Sequence, residues 1–187
     1  MAQPKDGNSA MNSSSRRITA PQPASNAFPQ ADSLPRMLDV LALAGRNPKL
    51  DENSLAEIFG ITPRQGSYYY AAAAYVGLTY KRGGWIKPTQ AGEGVNRIQD
   101  EDARRSAVFE MVMELPVFRE AAIHAAEYGC LPPVEELTAW VMAEDSKVNA
   151  TTAARRAETV DSWIRLVMRE APDVIAELPV GPAMAPG

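Results

Sequence analysis

A capped helix followed directly by a glycine-rich hairpin limits the folds that this sequence can adopt. Residues Thr62–Gln65 have the sequence Thr-Pro-Arg-Gln, a capping box with proline at the first helical position, so a helix begins there. This helix is predicted to stop at Gly77. The β-prone stretches Leu78–Lys81 and Trp85–Lys87 then flank Arg82-Gly83-Gly84, which predicts two short strands joined by a turn.

Two more helices are predicted before this unit. The first has Ser33 as its N-cap and apolar residues at the i, i+3, i+4, i+7 spacing of one helix face, namely Leu34, Met37, Leu38 and Leu41. The second is short, is capped by Asp51 or Ser54, and ends at Gly60. Three helices and a β-hairpin in this order are typical of a winged helix-turn-helix, which we place at residues 32–98.

The chain after residue 100 is predicted to be helical as far as residue 171. Helices are expected over about 101–114, from Pro116 to Gly129, from Pro133, and from Thr151 to Arg169. The expected fold class is therefore mainly α, with the winged helix-turn-helix followed by a second helical subdomain, itself similar to a helix-turn-helix, at residues 100–171. Neither unit is large, so the two units are compatible with one shared core.

Both ends of the chain differ from this pattern. Residues 1–31 are rich in Ala, Ser, Pro, Asn and Gln and carry few large apolar side chains, which predicts a disordered tail. In residues 172–187 Pro and Gly interrupt any period, which predicts a flexible tail.

The helix that begins after Thr62 carries the first candidate contact residues. At 100° per residue its inner face is predicted to contain Gly66, Tyr70, Ala73, Val76 and Gly77. The outward-pointing residues near its N-terminus are Arg64, Gln65 and Tyr68, and Ser67 completes the candidate set. An arginine can pair with guanine and a glutamine with adenine in the major groove of DNA. Two of the three tyrosines 68–70 are expected to be buried or half-buried.

The hairpin supplies a second group of candidates. Lys81, Arg82 and Lys87 lie in or beside it, where they can reach a phosphate or the minor groove. Between Ile61 and Ala91 there are four Lys or Arg and no Asp or Glu, although the whole chain has a net charge of −4. This local positive charge coincides with the predicted contact surface.

A third pair of candidates lies in the first turns of the last predicted helix. Positive charge is unfavourable near a helix N-terminus, so Arg155 and Arg156 need a partner. That partner is either an external phosphate or a carboxylate of the protein, from Glu158 or from the acidic stretch 100–114. The sequence leaves both interpretations open.

Composition and motifs exclude several other classes. One Cys and one His cannot form an intramolecular disulfide or a multi-Cys/His zinc site, and no apolar run is long enough to span a membrane. His124 has no nucleophile at an interpretable spacing, and Cys130 is interpreted as a small buried residue at a helix end. We therefore expect a cytoplasmic protein with no enzymatic activity, no cofactor and no metal.

Three segments resemble a known family. They are Phe28–Ser33 (Phe-Pro-Gln-Ala-Asp-Ser), Gly60–Tyr70, and Ala154–Trp163 with its Arg-Arg-x-x-Thr-Val-x-x-Trp pattern. Together they look like a bacterial helical domain that accompanies type II restriction-modification enzymes, either fused to a nuclease or methyltransferase or encoded near one. The resemblance covers roughly residues 28–170, and the third segment is its most specific part.

The resemblance implies a sequence-reading DNA-binding domain that has no cleavage centre of its own. Arg64, Gln65 and Tyr68 match its recognition-helix positions, and Arg155 and Arg156 match its paired arginines. The expected function is sequence-dependent binding of double-stranded DNA, as a non-catalytic recognition or regulatory component of a restriction-modification or related defence system. The alternative is an adaptor subunit that docks to a nuclease or methyltransferase.

Overall fold

A computed structural model describes residues 28–31 and 33–178, and within them the chain forms nine helices and one two-stranded antiparallel sheet. The prediction of a mainly helical fold is confirmed. The first six elements are α1 (Leu34–Arg46), α2 (Glu52–Phe59), α3 (Pro63–Tyr75), β1 (Thr79–Arg82), β2 (Trp85–Pro88) and α4 (Gln90–Arg97). The remaining helices are α5 (Glu101–Met113), α6 (Pro116–Tyr128), α7 (Val134–Glu144), α8 (Ala150–Glu170) and α9 (Pro172–Ala176).

Side-chain caps explain where many of these helices begin. The capping box predicted for α3 is complete, because the backbone N–H of Thr62 donates to Gln65 Oε1 at 3.0 Å and that of Gln65 donates to Thr62 Oγ1 at 3.3 Å. The carboxylate of Asp51 caps α2, and Gly60 ends that helix in the left-handed region at a φ of 64°. These local interactions set the turn between α2 and α3.

The hairpin predicted after α3 is confirmed. β1 and β2 pair antiparallel from Thr79 opposite Pro88 to Arg82 opposite Trp85, and Gly83 and Gly84 form the turn. Both glycines have positive φ, 60° and 85°, which a side chain would disfavour. The hairpin is anchored to the body of the protein at Ile86, which is fully buried and whose N–H donates to the Leu50 carbonyl at 2.8 Å.

Helix α3 packs closely on α2 through Gly66. A Cβ at this position would lie 2.8 Å from the carbonyl oxygen of Glu52. The predicted inner face is wrong at one position, since Tyr69 is 6% exposed whereas Tyr70 is half-buried. The physical reason is the position of α2, because the Tyr69 ring packs against it with its centre 6.4 Å from that of Phe59. Tyr70 instead faces the hairpin, where the ammonium of Lys81 lies 5.2 Å from the centre of its ring.

Residues 28–31 correct the predicted boundary of the N-terminal tail. Phe28 is 3% exposed, with its ring centre 5.2 Å from that of Tyr75 in α3 and 5.6 Å from that of Phe118 in α6. The indole N–H of Trp163 in α8 donates to the carbonyl of Ala31 at 3.0 Å. The sequence did not show this packing because the partners are distant in the chain. The rest of the predicted tail, residues 1–27, lies outside the described residues.

The C-terminal boundary also needs correction. Pro172 begins α9 instead of ending the ordered chain, and Ile175 of that helix is 7% exposed. Proline is compatible with the first turn of a helix, so it does not by itself mark a tail. Residues 179–187 of the predicted flexible tail lie outside the described residues.

One core extends through both predicted units. The buried apolar side chains of α1, α3 and the hairpin form a continuous cluster with those of α5, α6, α7 and α8. Tyr75 adds a polar link, because its hydroxyl donates to the Glu144 carboxylate in α7 at 2.9 Å. The two predicted units therefore share one core over the described residues.

Candidate functional site

The N-terminal part of α3 presents Arg64 to solvent in a defined orientation. The Arg64 Nε donates to the Tyr68 hydroxyl at 2.8 Å, one helical turn away, and the guanidinium carbon lies 5.8 Å from the centre of the Tyr68 ring. Within the described residues the two terminal nitrogens of Arg64 have no protein acceptor and form no ion pair. Arg64 can therefore offer its terminal N–H groups to an external acceptor.

The other candidate residues of α3 are less accessible than Arg64 to an external partner. Gln65 is exposed, but its side-chain oxygen accepts from the backbone and the hydroxyl of Thr62, which leaves only its amide NH₂ group for an external acceptor. Ser67 and Tyr68 are half-buried.

The hairpin brings its three basic residues into different environments. Lys81 forms an ion pair with Glu52 of α2, and the Lys87 ammonium donates to the Pro48 carbonyl. Arg82, beside the Gly83-Gly84 turn, is exposed and has no ion pair among the described residues. The positive charge inferred from residues 61–91 is therefore reduced by Glu52, which lies outside that window and which the fold brings to it.

Arg155 and Arg156 separate in the structure. Arg156 is only 8% exposed, and its guanidinium donates to the Asp145 carboxylate at 2.7 Å. That hydrogen bond is the main reason why the pKa of Asp145 lies below its usual range. Arg156 is thus removed from the candidate surface, and its partner is neither Glu158 nor the 100–114 stretch. Arg155 is exposed and forms no ion pair within the described part of the chain.

A cavity of about 300 Å³ joins Arg155 to the candidate surface on α3. Its lining comes from three separate segments, residues 28–31, α3 and α8, and consists of Gln30, Tyr68, Arg155, Glu158, Thr159 and Ser162. Gln30, Thr159 and Ser162 were not among the predicted site residues, because the lining segments are far apart in the chain and are brought together by the fold. Arg64, Tyr68 and Arg155 therefore belong to one continuous region of the surface.

The single His and the single Cys lie elsewhere. His124 Nδ1 is 3.0 Å from the Cys130 carbonyl oxygen, and the His124 ring lies 4.6 Å from that of Tyr128, centre to centre. Cys130 is exposed, so its interpretation as a buried residue is wrong; it follows the left-handed Gly129 that ends α6. Among the described residues no group of three or more His, Cys, Asp or Glu side chains is arranged to bind a metal ion.

Comparison with known proteins places this arrangement in a family. A family model described as a domain of unknown function (DUF7226) matches residues 36–171. The chain belongs to the DUF7226 family. The match runs from Arg36, within α1, to the residue after α8. It therefore covers all but the first four residues of the two predicted units, and the residues around the cavity except Gln30. No curated protein and no solved structure matches the chain. From Leu34 to Ala176, no helix combines the length and apolar character needed to cross a membrane.

Proposed function

We propose that this DUF7226 protein binds double-stranded DNA in a sequence-dependent manner, as a non-catalytic recognition or regulatory component. In this proposal residues 32–98 act as a winged helix-turn-helix, with α3 as the recognition helix and the hairpin as the wing. The observation that carries the proposal is the pair of exposed arginines, Arg64 on the capped end of α3 and Arg82 at the hairpin turn. Neither forms an ion pair among the described residues.

The arrangement around α3 supports a role in base recognition. The major groove admits a helix, and a guanidinium can donate two hydrogen bonds to the edge of guanine. The bond from Arg64 Nε to Tyr68 fixes the side chain while its terminal nitrogens stay accessible. Fixing a long side chain before binding reduces the entropy that binding removes. Arg64 is therefore our principal candidate for reading a base.

The hairpin supports a role in backbone contact. Lys81 lies over Tyr70 of α3 and pairs with Glu52 of α2, so it connects the wing to the recognition helix. Arg82 extends beyond this connection to the turn. Because contacts to phosphate contribute affinity without sequence information, we assign Arg82 to the phosphate backbone and Lys81 to orienting the wing.

We also propose that the protein acts together with a restriction-modification enzyme. This part of the proposal depends on the resemblance of residues 28–170, which implies a nuclease or methyltransferase as the protein partner. A gene for either enzyme next to the gene of this protein would support that association.

Selection from a pool of random duplexes tests the proposed function. We expect one sequence to be enriched and to bind at least tenfold more tightly than a scrambled duplex of equal length. Fluorescence anisotropy should show affinity falling between about 50 and 200 mM salt, since phosphate contacts release counterions. Absence of duplex binding at the lower salt concentration, or binding without enrichment, would overturn the proposal.

An adaptor function is the second candidate, and the charge distribution favours it. Residues 100–178 contain sixteen Asp and Glu against eight Lys and Arg. The same region exposes apolar side chains on α6 and α7, of which Tyr128 is 63%, Val134 39% and Met142 40% exposed. Co-elution with a nuclease or methyltransferase encoded beside it, lost when Tyr128 and Met142 are replaced by Ser, would support this function. Unchanged co-elution of that variant would place the docking surface elsewhere.

A further inference from the structure

The cavity between α3, α8 and residues 28–31 has a lining suited to a particular class of small ligand. Arg155 and Glu158 lie one helical turn apart on α8 and both contribute to it. Oppositely charged side chains three residues apart on a helix commonly form an ion pair. Neither Arg155 nor Glu158 forms one within the described residues. The cavity therefore contains one cation and one anion whose charges are both available to a ligand.

This pair of charges selects among ligand types. A simple anion such as phosphate would be attracted by Arg155 but repelled by Glu158. A simple amine, which is positively charged, would be attracted by Glu158 but repelled by Arg155. A zwitterion can place its carboxylate at Arg155 and its ammonium at Glu158, which compensates both charges. A volume of about 300 Å³ is at the small end of ligand pockets, so the ligand is small.

The remaining lining supplies hydrogen-bond donors for a carboxylate. The Tyr68 hydroxyl accepts a hydrogen bond from Arg64, and among the described residues its own proton has no protein acceptor. Gln30 adds an amide group from the docked N-terminal segment. Thr159 forms part of the wall, with its hydroxyl bonded to the Arg155 carbonyl at 3.3 Å.

We propose that this cavity binds an amino acid or a similar small zwitterion, and that the bound ligand weakens DNA binding by drawing Arg64 towards its carboxylate. Tyr68 makes this possible because it lines the cavity and also contacts Arg64. Binding of the zwitterion stands independently of the proposed function, whereas its effect on DNA rests on it. If the ligand weakens DNA binding in this way, DNA weakens ligand binding by the same factor.

Thermal unfolding of the full chain with each of the twenty standard amino acids tests the binding step. We expect at least one to raise Tm by about 2–4 °C at several times its Kd. Acetate and methylammonium at the same concentration should have no such effect. Arg155→Gln and Glu158→Gln should each abolish the shift, while Glu120→Gln, an exposed carboxylate on α6, should keep it. No shift with any amino acid, an equal shift with acetate, or a full shift in Glu158→Gln would overturn the proposal.

Duplex binding in the presence of the active amino acid tests the coupling. Saturating ligand should lower the affinity of the wild type for its selected duplex by about fivefold or more, and this effect should vanish in Glu158→Gln. Unchanged affinity would overturn the coupling. If the wild type binds no duplex while the Tm shift is present, the proposed function fails and the zwitterion site stands. If the wild type binds duplex but no amino acid shifts its Tm, the zwitterion site fails and the proposed function stands.

Discussion

Arg155 and Arg156 are neighbours in the chain, yet one faces solvent and the other is buried. Consecutive helical residues differ by 100° in direction, so two neighbours can lie on either side of the edge of a buried helix face. Arg156 lies three residues after Ala153 and four before Val160, both fully buried. That spacing, visible in the sequence, places Arg156 on the buried side of α8. The identity of its partner was not visible, because Asp145 belongs to the loop before α8.

Asp145→Asn is expected to lower the free energy of unfolding by about 1–3 kcal/mol at neutral pH, because it leaves the buried Arg156 without its charged partner. The lowered pKa of Asp145 gives the sign of the pH dependence. Its stabilisation is fully present above the ordinary pKa of 3.8 and is lost as the pH falls through the lower folded-state pKa. Urea unfolding of wild type and variant at several pH values checks this.

Asp161→Asn is the matched control for that experiment. Asp161 pairs with Arg165, which is 64% exposed, so its loss should change stability by less than about 0.5 kcal/mol. If the two substitutions lower the free energy of unfolding equally, the Asp145 carboxylate does not specifically stabilise the buried Arg156. The same conclusion follows if the loss caused by Asp145→Asn persists at acid pH.

The elements of this fold follow largely from local signals. The capping box, the glycines at helix ends and the Gly-Gly turn act within a few residues, so α2, α3 and the hairpin could be predicted. The ion pair between Lys81 and Glu52 could not, since 29 positions separate the two residues. For the same reason the charge of the candidate site, counted along residues 61–91, was overestimated.

The position of α3 depends on its close approach to α2, and Gly66→Ala tests this. The new Cβ would meet the Glu52 carbonyl, which is backbone and cannot rotate away. We expect a loss of about 1–3 kcal/mol in chemical denaturation, although alanine alone favours a helix. Ser67→Ala, one residue later and half-buried, should change stability by less than about 0.5 kcal/mol. A neutral or stabilising Gly66→Ala would show that the two helices do not need this contact.

On the scale of the whole molecule, residues 28–31 connect the two predicted units. Phe28 contacts α3 and α6, and Ala31 is bonded to α8. A single phenylalanine among small and polar residues gives no periodic signal, so this segment was assigned to the tail. The same docking supplies Gln30 to the cavity, which explains why the cavity could not be predicted.

Phe28→Ala is expected to lower the free energy of unfolding by about 3–5 kcal/mol, because it removes a buried ring between the two units. Circular dichroism and tryptophan fluorescence should report one transition with an unchanged m-value. Ile58→Ala, at a 52% exposed position, is the control and should be nearly neutral. Two separate transitions in the wild type would contradict a shared core.

DNA recognition through α3 and the hairpin is tested by measuring the affinities of three arginine variants for the selected duplex across a range of salt concentrations. Arg64→Ala should lose about 1–3 kcal/mol on the preferred sequence and should discriminate less at one base pair. Arg82→Ala should weaken binding to all duplexes alike and reduce the salt slope by about 0.9, one phosphate contact.

Arg97→Ala removes the same charge from α4, where Arg97 pairs with Glu93, and should bind as the wild type does. If all three variants lose affinity equally, the effect is one of net charge. If Arg64→Ala and Arg82→Ala bind as tightly and as selectively as the wild type, α3 and the hairpin do not contact DNA, and the account is wrong.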